Sequence, residues 1–224
     1  MSSKVNILST RVLSKELTAS FNEQITLLQQ QFIEFKPISF KKSELLTDKY
    51  WIITSQQTLN IIFQTYSLSE LKKINFYVVG LQTAKKLNDN QLKVIEWANY
   101  AQNLALKIIK NHSEKHFFFI GGEIRRDELP SLLKNHNVSI KMIDIYTTVL
   151  SPYEINEPKL DGLIFFSPSA VQSYVIKNTI SNEQVFCIGN TTAQELKKYS
   201  SQIHVPKEQT FKSVIDLVNT YYNE

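Results

Sequence analysis

The groups in this sequence best suited to chemistry are short polar clusters, each placed directly after an apolar run. They are Ser9-Thr10-Arg11, Thr54-Ser55-Gln56, Gly80-Leu81-Gln82-Thr83, Gly121-Gly122, Ser167-Pro168-Ser169 and Gly189-Asn190-Thr191-Thr192. Small and hydroxyl-bearing residues leave backbone N–H groups accessible and add donors of their own. Where a helix begins at such a cluster, its unpaired amides and dipole favour anions. Any one cluster is accounted for by helix capping or a tight turn. Six of them point to a distributed anion site, with Thr10, Ser55, Thr83, Gly122, Ser167, Ser169, Thr191 and Thr192 as its donors. The chain has three arginines, Arg11, Arg125 and Arg126, and each lies just after an apolar run. A guanidinium there can bind a carboxylate or phosphate through two parallel bonds. Arg11, immediately behind the first run, is the strongest cationic candidate.

Other chemistries lack their residues. No Gly-rich loop ends in Gly-Lys-Ser/Thr, no G-x-G-x-x-G follows a strand, and no Gly-x-Ser-x-Gly elbow occurs. His112 and His116 have the i,i+4 spacing of a metal pair, but their flanks carry no metalloprotease pattern. The single cysteine, Cys187, excludes an internal disulfide and sits in the apolar run Val185-Phe186-Cys187-Ile188, where packing is its expected role. Neither a cofactor nor a metal is expected. The formal charge of +4, from 25 basic and 21 acidic residues, is spread without a dense basic block, so nucleic acid is not an expected partner. No apolar stretch approaches a membrane span, and the first residues lack an apolar leader core. A cytoplasmic monomer is the expected setting.

The elements that must position these clusters can be read from periodicity. Tyr50-Trp51-Ile52-Ile53, Phe76-Tyr77-Val78-Val79, Phe117-Phe118-Phe119-Ile120, Leu163-Ile164-Phe165-Phe166 and Val185-Phe186-Cys187-Ile188 are apolar without alternation, as strands covered on both faces are. Segments of helical period follow them, such as Trp97 to Ile109 and Val214 to Val218. Strand–helix alternation predicts an α/β protein with parallel sheets and flanking helices. The pattern also repeats. Ile52-Ile53-Thr54-Ser55 matches Ile164-Phe165-Phe166-Ser167 in character, Val79-Gly80 with Thr83-Ala84 matches Ile188-Gly189 with Thr192-Ala193, and Leu8-Ser9-Thr10-Arg11 matches Ile120-Gly121-Gly122-Glu123. The shift is about 110 positions each time, which predicts two similar domains with a cleft between them.

Phe165-Phe166-Ser167-Pro168-Ser169-Ala170-Val171 followed by Ile188-Gly189-Asn190-Thr191-Thr192-Ala193 resembles the C-terminal signature of the uroporphyrinogen-III synthase family. Leu8-Ser9-Thr10-Arg11, Ile53-Thr54-Ser55, Val79-Gly80 with Thr83-Ala84, and Tyr146-Thr147 support the likeness along the whole chain. The resemblance implies two α/β domains of flavodoxin-like plan joined by a two-stranded crossing. The first, discontinuous domain would hold residues 1–36 and 152–224, and the inserted second domain residues 40–147, with Gln31 to Ile38 and Ile143 to Pro152 crossing. It implies a cyclising lyase whose substrate is hydroxymethylbilane, a linear tetrapyrrole polycarboxylate. The reaction removes water, inverts ring D and closes the macrocycle as uroporphyrinogen III. The family carries a tyrosine on the helix after Ser-Pro-Ser as its favoured proton donor. Tyr174 takes that place here, with the Ser173 position as its alternative, and Thr191 and Thr192 are expected to cap the following helix. The alternative reading is a non-enzymatic two-domain binder of an anionic small molecule.

Overall fold

The computed structural model describes residues 4–125, 127–156 and 159–223. Strand β1 (Val5–Ser9), helix α1 (Lys15–Thr18), β2 (Ile25–Gln29) and β3 (Ile33–Pro37) open the chain. There follow α2 (Lys42–Leu45), β4 (Tyr50–Ile53), α3 (Gln56–Thr65), α4 (Leu68–Leu71), β5 (Asn75–Val79), α5 (Leu81–Asp89), β6 (Lys93–Ala98) and α6 (Ala101–His112). Next come β7 (His116–Gly122), α7 (Glu128–Asn135), β8 (Ser139–Leu150), β9 (Gly162–Phe165), α8 (Pro168–Val175), β10 (Gln184–Cys187), α9 (Asn190–Leu196), β11 (Ile203–His204) and α10 (Phe211–Asn223).

The chain divides into two compact units, Met1–Glu34 with Val149–Glu224, and Phe35–Thr148. Both boundaries fall inside strands, β3 and β8, which are neighbours in one sheet. Along this pair the Ile38 amide donates to the Ile145 carbonyl and the Ser151 amide to the Phe32 carbonyl, each at 3.0 Å. Partners that rise in one strand while falling in the other are antiparallel. The first unit carries the sheet β11-β10-β9-β1-β2, with every neighbouring pair parallel. The second carries β3-β8-β7-β4-β5-β6, parallel from β8 to β6.

The unbroken apolar runs are explained by burial on both faces. In β4, Trp51 and Ile53 enter one core cluster while Ile52 enters another. In β7, Phe118 and Ile120 share the first of these clusters, and Phe117 and Phe119 the second. The first unit repeats this, with Leu163, Phe165, Val185 and Cys187 on one face and Ile164 and Phe186 on the other. Successive side chains of a strand point to opposite faces, so a sheet with helices on both sides needs every position apolar.

Counted within each unit, with the antiparallel edge strand β3 left aside, the strand order is 2-1-3-4-5 in the first and 3-2-1-4-5 in the second. These orders are one arrangement. If β4, β5 and β7 are equated with β9, β10 and β1, as the internal repeat equates them, then β6-β5-β4-β7-β8 overlays β11-β10-β9-β1-β2 strand for strand. The units are circular permutations of one plan. The plan has its topological switch where connections leave in opposite directions, and ligands of open parallel sheets bind at the carboxyl ends of the strands there. That place is β1/β9 in the first unit and β4/β7 in the second.

Candidate active site

In the first unit, the end of β1 is tied to β9 by Thr10. Its amide at 3.0 Å and its hydroxyl at 2.8 Å both donate to the Ile164 carbonyl, and the residue is 1% exposed. The Thr10 donors expected to face a ligand are therefore used in closing the strand ends. Arg11, the next residue, is exposed, and its guanidinium lies 5.2 Å from the centre of the Phe211 ring. Phe211 packs on Phe166, just past β9, with centroids 4.9 Å apart. This pair steers the cation towards the junction after β9. Partial desolvation lowers the Arg11 pKa without removing its charge. Among the described residues no carboxylate pairs with it.

Ser167 caps α8, accepting the Ala170 amide at 3.1 Å, and Pro168 occupies the first helical position, where a missing N–H costs nothing. Ser167 and Ser169 are both half-buried at this end. At the end of β10 the cap is the extended Gly189, so the two threonines do not cap α9 as expected; both lie within its first turn. Helical period then separates them. Thr192 joins Ala193 and Leu196 on the buried face, with its amide bonded to the Gly189 carbonyl at 3.1 Å, while Thr191 is exposed.

Tyr174 lies on the inner face of α8, 2% exposed, with its ring against Phe32 at 5.3 Å and Phe165 at 5.5 Å. Burial pushes its pKa up to about 12, so it keeps its proton at neutral pH. Ser173 is fully buried and its Oγ has no hydrogen-bond partner. Cys187 is fully buried, and burial pushes its thiol up to about 11, which fits the packing role expected of it.

In the second unit, Ser55 caps α3, accepting the Thr58 amide at 3.0 Å. Gly80 caps α5 at φ +96°, a conformation that L side chains rarely adopt. Thr83 belongs to the buried face of that helix, 3% exposed, with its amide bonded to Gly80. Gly121 and Gly122 do not form an open loop. The pairing of β7 with β8 continues through both, with a register shift between them. Gly122 faces the Tyr146 ring so closely that a Cβ there would lie 2.5 Å from Cε2. Its role is therefore to seat a tyrosine. Tyr146 carries a hydroxyl 3.2 Å from Ser55 Oγ, at the switch of this unit. In the sequence Tyr146 stands out only within the family resemblance; the signal for its role is the glycine opposite it, which is legible only once the register is known.

Arg125 is held internally. It pairs with Asp144, its guanidinium lies 5.6 Å from the centre of the Phe119 ring, and burial lowers its pKa. Arg126 lies outside the described residues. His112 and His116 go to separate partners, Glu96 and Asp48, and among the described residues no cluster could hold a metal ion. Among the described residues no helix is long and apolar enough to cross a membrane.

The Porphyrin biosynthesis protein HemD of Ruminiclostridium josui is 23% identical over 242 aligned positions, covering 94% of this chain and 47% of its own length. A UDP-N-acetylmuramoylalanine--D-glutamate ligase of Helicobacter pylori (strain HPAG1) is 24% identical over 206 positions, covering 87% of this chain and 47% of its own. The chain thus spans about half the length of the curated relatives it matches. The crystal structure of uroporphyrinogen-III synthetase from Helicobacter pylori 26695 shares the fold, with a TM-score of 0.74, 19% identity, and coverage of 97% of this chain and 99% of that one. The family model described as Uroporphyrinogen-III synthase HemD matches residues 30–216, most of the sequence, and the chain belongs to that family.

Proposed function

We propose that this chain converts hydroxymethylbilane to uroporphyrinogen III by dehydrating cyclisation with inversion of ring D. The observation that carries the reading is the family match across residues 30–216. The chemistry is suited to a site of this kind. One C–O bond breaks as the hydroxyl leaves, ring D is turned by breaking one C–C bond and forming another, a further C–C bond closes the macrocycle, and the proton displaced from the closing carbon balances the hydroxyl as water, so no electrons are gained or lost and no redox cofactor is required. Closure without an enzyme gives the unrearranged isomer. The protein must therefore hold one geometry of the chain while the hydroxyl leaves, through positioning and fixed dipoles.

In this reading Arg11 takes a carboxylate of the substrate, helped by Ser167, Ser169 and Thr191. The cation is charged, exposed and steered by Phe211, and the other three stand at the ends of β9 and β10. Thr10, Thr83, Thr192 and Gly122 act behind them by fixing strand ends and helix starts. Tyr174 is the proposed proton donor to the departing hydroxyl. The protein acts as a monomer in the cytoplasm, a setting that suits its single buried thiol. The test is incubation with enzymatically prepared hydroxymethylbilane, followed by chromatographic separation of the type I and type III products. Product that is all type I, at the rate of the protein-free control, overturns the reading.

A further inference from the structure

Strand β2 runs on into β3, which belongs to the other sheet, so its pairing with β1 stops at the strand ends. The parallel register closes with Ser9 opposite Gln29, and the Gln30 and Phe32 amides then reach the Ser9 and Thr10 carbonyls at 3.0 and 3.4 Å. Past this point residues 11–13 are held by side chains instead. The Ser9 hydroxyl donates to the Arg11 carbonyl and accepts the Arg11 amide at 3.4 Å. The Val12 amide donates to Gln31 Oε1 at 3.3 Å, and the Leu13 amide to Gln29 Oε1 at 2.8 Å. Gln31 is fixed in turn, its Nε2 donating to the Ile33 carbonyl at 2.9 Å. Residues two apart in an extended chain share a face, so both half-buried glutamines reach the same turn. A carboxamide offers an acceptor and a donor, as a peptide group does, and here two of them stand in for a missing strand.

We propose that Gln29 and Gln31 are positioning residues for substrate binding: they hold the Arg11–Leu13 turn in the shape that presents the Arg11 guanidinium to a substrate carboxylate. This rests on the synthase reading, with Arg11 as its cation. A guanidinium makes two parallel bonds to a carboxylate only when its planar fork is aimed, and ordering it at the moment of binding costs affinity. The Phe211 ring, 5.2 Å away, supports the charged end of the side chain, and the two glutamines fix the backbone end. Packing does little of this work, because Val12 is 59% exposed and the first core anchor after β1 and Thr10 is Leu13. The hydrogen bonds between those anchors are what hold Arg11 in one place.

The test measures KM, kcat, the type III fraction and the melting temperature on hydroxymethylbilane for Gln29→Met and Gln31→Met, each in the wild-type and in the Arg11→Gln background. Methionine keeps the length and bulk of glutamine and removes the acceptor. In the wild-type background KM is expected to rise roughly five- to thirtyfold, the entropy of re-ordering one backbone residue at each binding event, with a smaller change in kcat. In the Arg11→Gln background the same substitution is expected to move KM by less than about twofold, since no guanidinium remains to be aimed. A glutamine that served the fold alone would raise KM equally in both backgrounds, and that result overturns the inference. So does a wild-type KM in both glutamine variants, or in Arg11→Gln itself. Wild-type protein that makes no type III product removes the synthase reading, and this inference with it.

Discussion

Replacing Gly122 by alanine separates packing from ligand binding at the end of β7. The added Cβ would lie 2.5 Å from Cε2 and 2.7 Å from Cζ of Tyr146. Carbon atoms rest at about 3.5 to 4.0 Å, so the ring must retreat by about 1 Å. It is enclosed, at 6% exposure, with Phe35 at its edge. Overpacking of this kind costs about 1 to 3 kcal/mol. A retreat of that size also stretches the 3.2 Å contact with Ser55 beyond hydrogen-bond length, at a further cost of about 0.5 to 1.5 kcal/mol. Together these lower the melting temperature of a unit this size by roughly 6 to 18 °C, at about 4 °C per kcal/mol. Both tryptophans of the chain, Trp51 and Trp97, lie in the second unit, so a melt followed by tryptophan fluorescence reports the right half of the molecule. Alanine keeps the Gly122 amide, so a glycine whose task was to expose that amide would leave the melt unchanged. A shift under about 2 °C would refute the packing argument. Combining Gly122→Ala with Tyr146→Ala removes the clash, and the pair should lose less stability than the two single changes summed.

Three further outcomes are expected. Tyr174→Phe keeps the packing on Phe32 and Phe165 while removing the hydroxyl, and should lower kcat by about 10²- to 10⁴-fold with little change in melting temperature; unchanged turnover would move the acid role to another group. Arg11→Gln should raise KM roughly ten- to hundredfold and flatten its dependence on salt, since an exposed cation at the end of β1 is lost; a KM with unaltered salt dependence counts against a carboxylate contact. His204, stacked on Phe186 at 4.9 Å and bonded to Gln184, has its pKa lowered by burial, so the folded chain resists the proton that the unfolded chain takes up near pH 6.5. Its contribution to stability is full above that pH and is lost as pH falls through it, and His204→Phe should weaken the dependence of melting temperature on pH between about 7.5 and 5. Identical slopes for the two proteins would show that other groups set it.

Much of this molecule is legible along the chain. Unbroken runs such as Phe117 to Ile120 announce strands covered on both faces, and Ser55 and Ser167 announce the helices they cap, because strand burial and capping depend on neighbours a few residues away. The repeat exposes two copies of one plan for the same reason. The order of the strands, and the permutation that relates the two copies, are set by which edges meet after long connections. The roles of individual site residues depend on the same long-range partners. Thr10 looks like a ligand donor until its hydroxyl meets Ile164, 154 positions away, and Gly122 looks like a loop until β8 lays Tyr146 across it. Which of Thr191 and Thr192 faces outward turns on where α9 begins, and Gly189 decides that rather than either threonine. A hydroxyl has a fixed, small number of hydrogen-bond positions, so whether it serves a ligand or the fold is decided by who else is close enough to fill them, and that is a property of the folded chain alone.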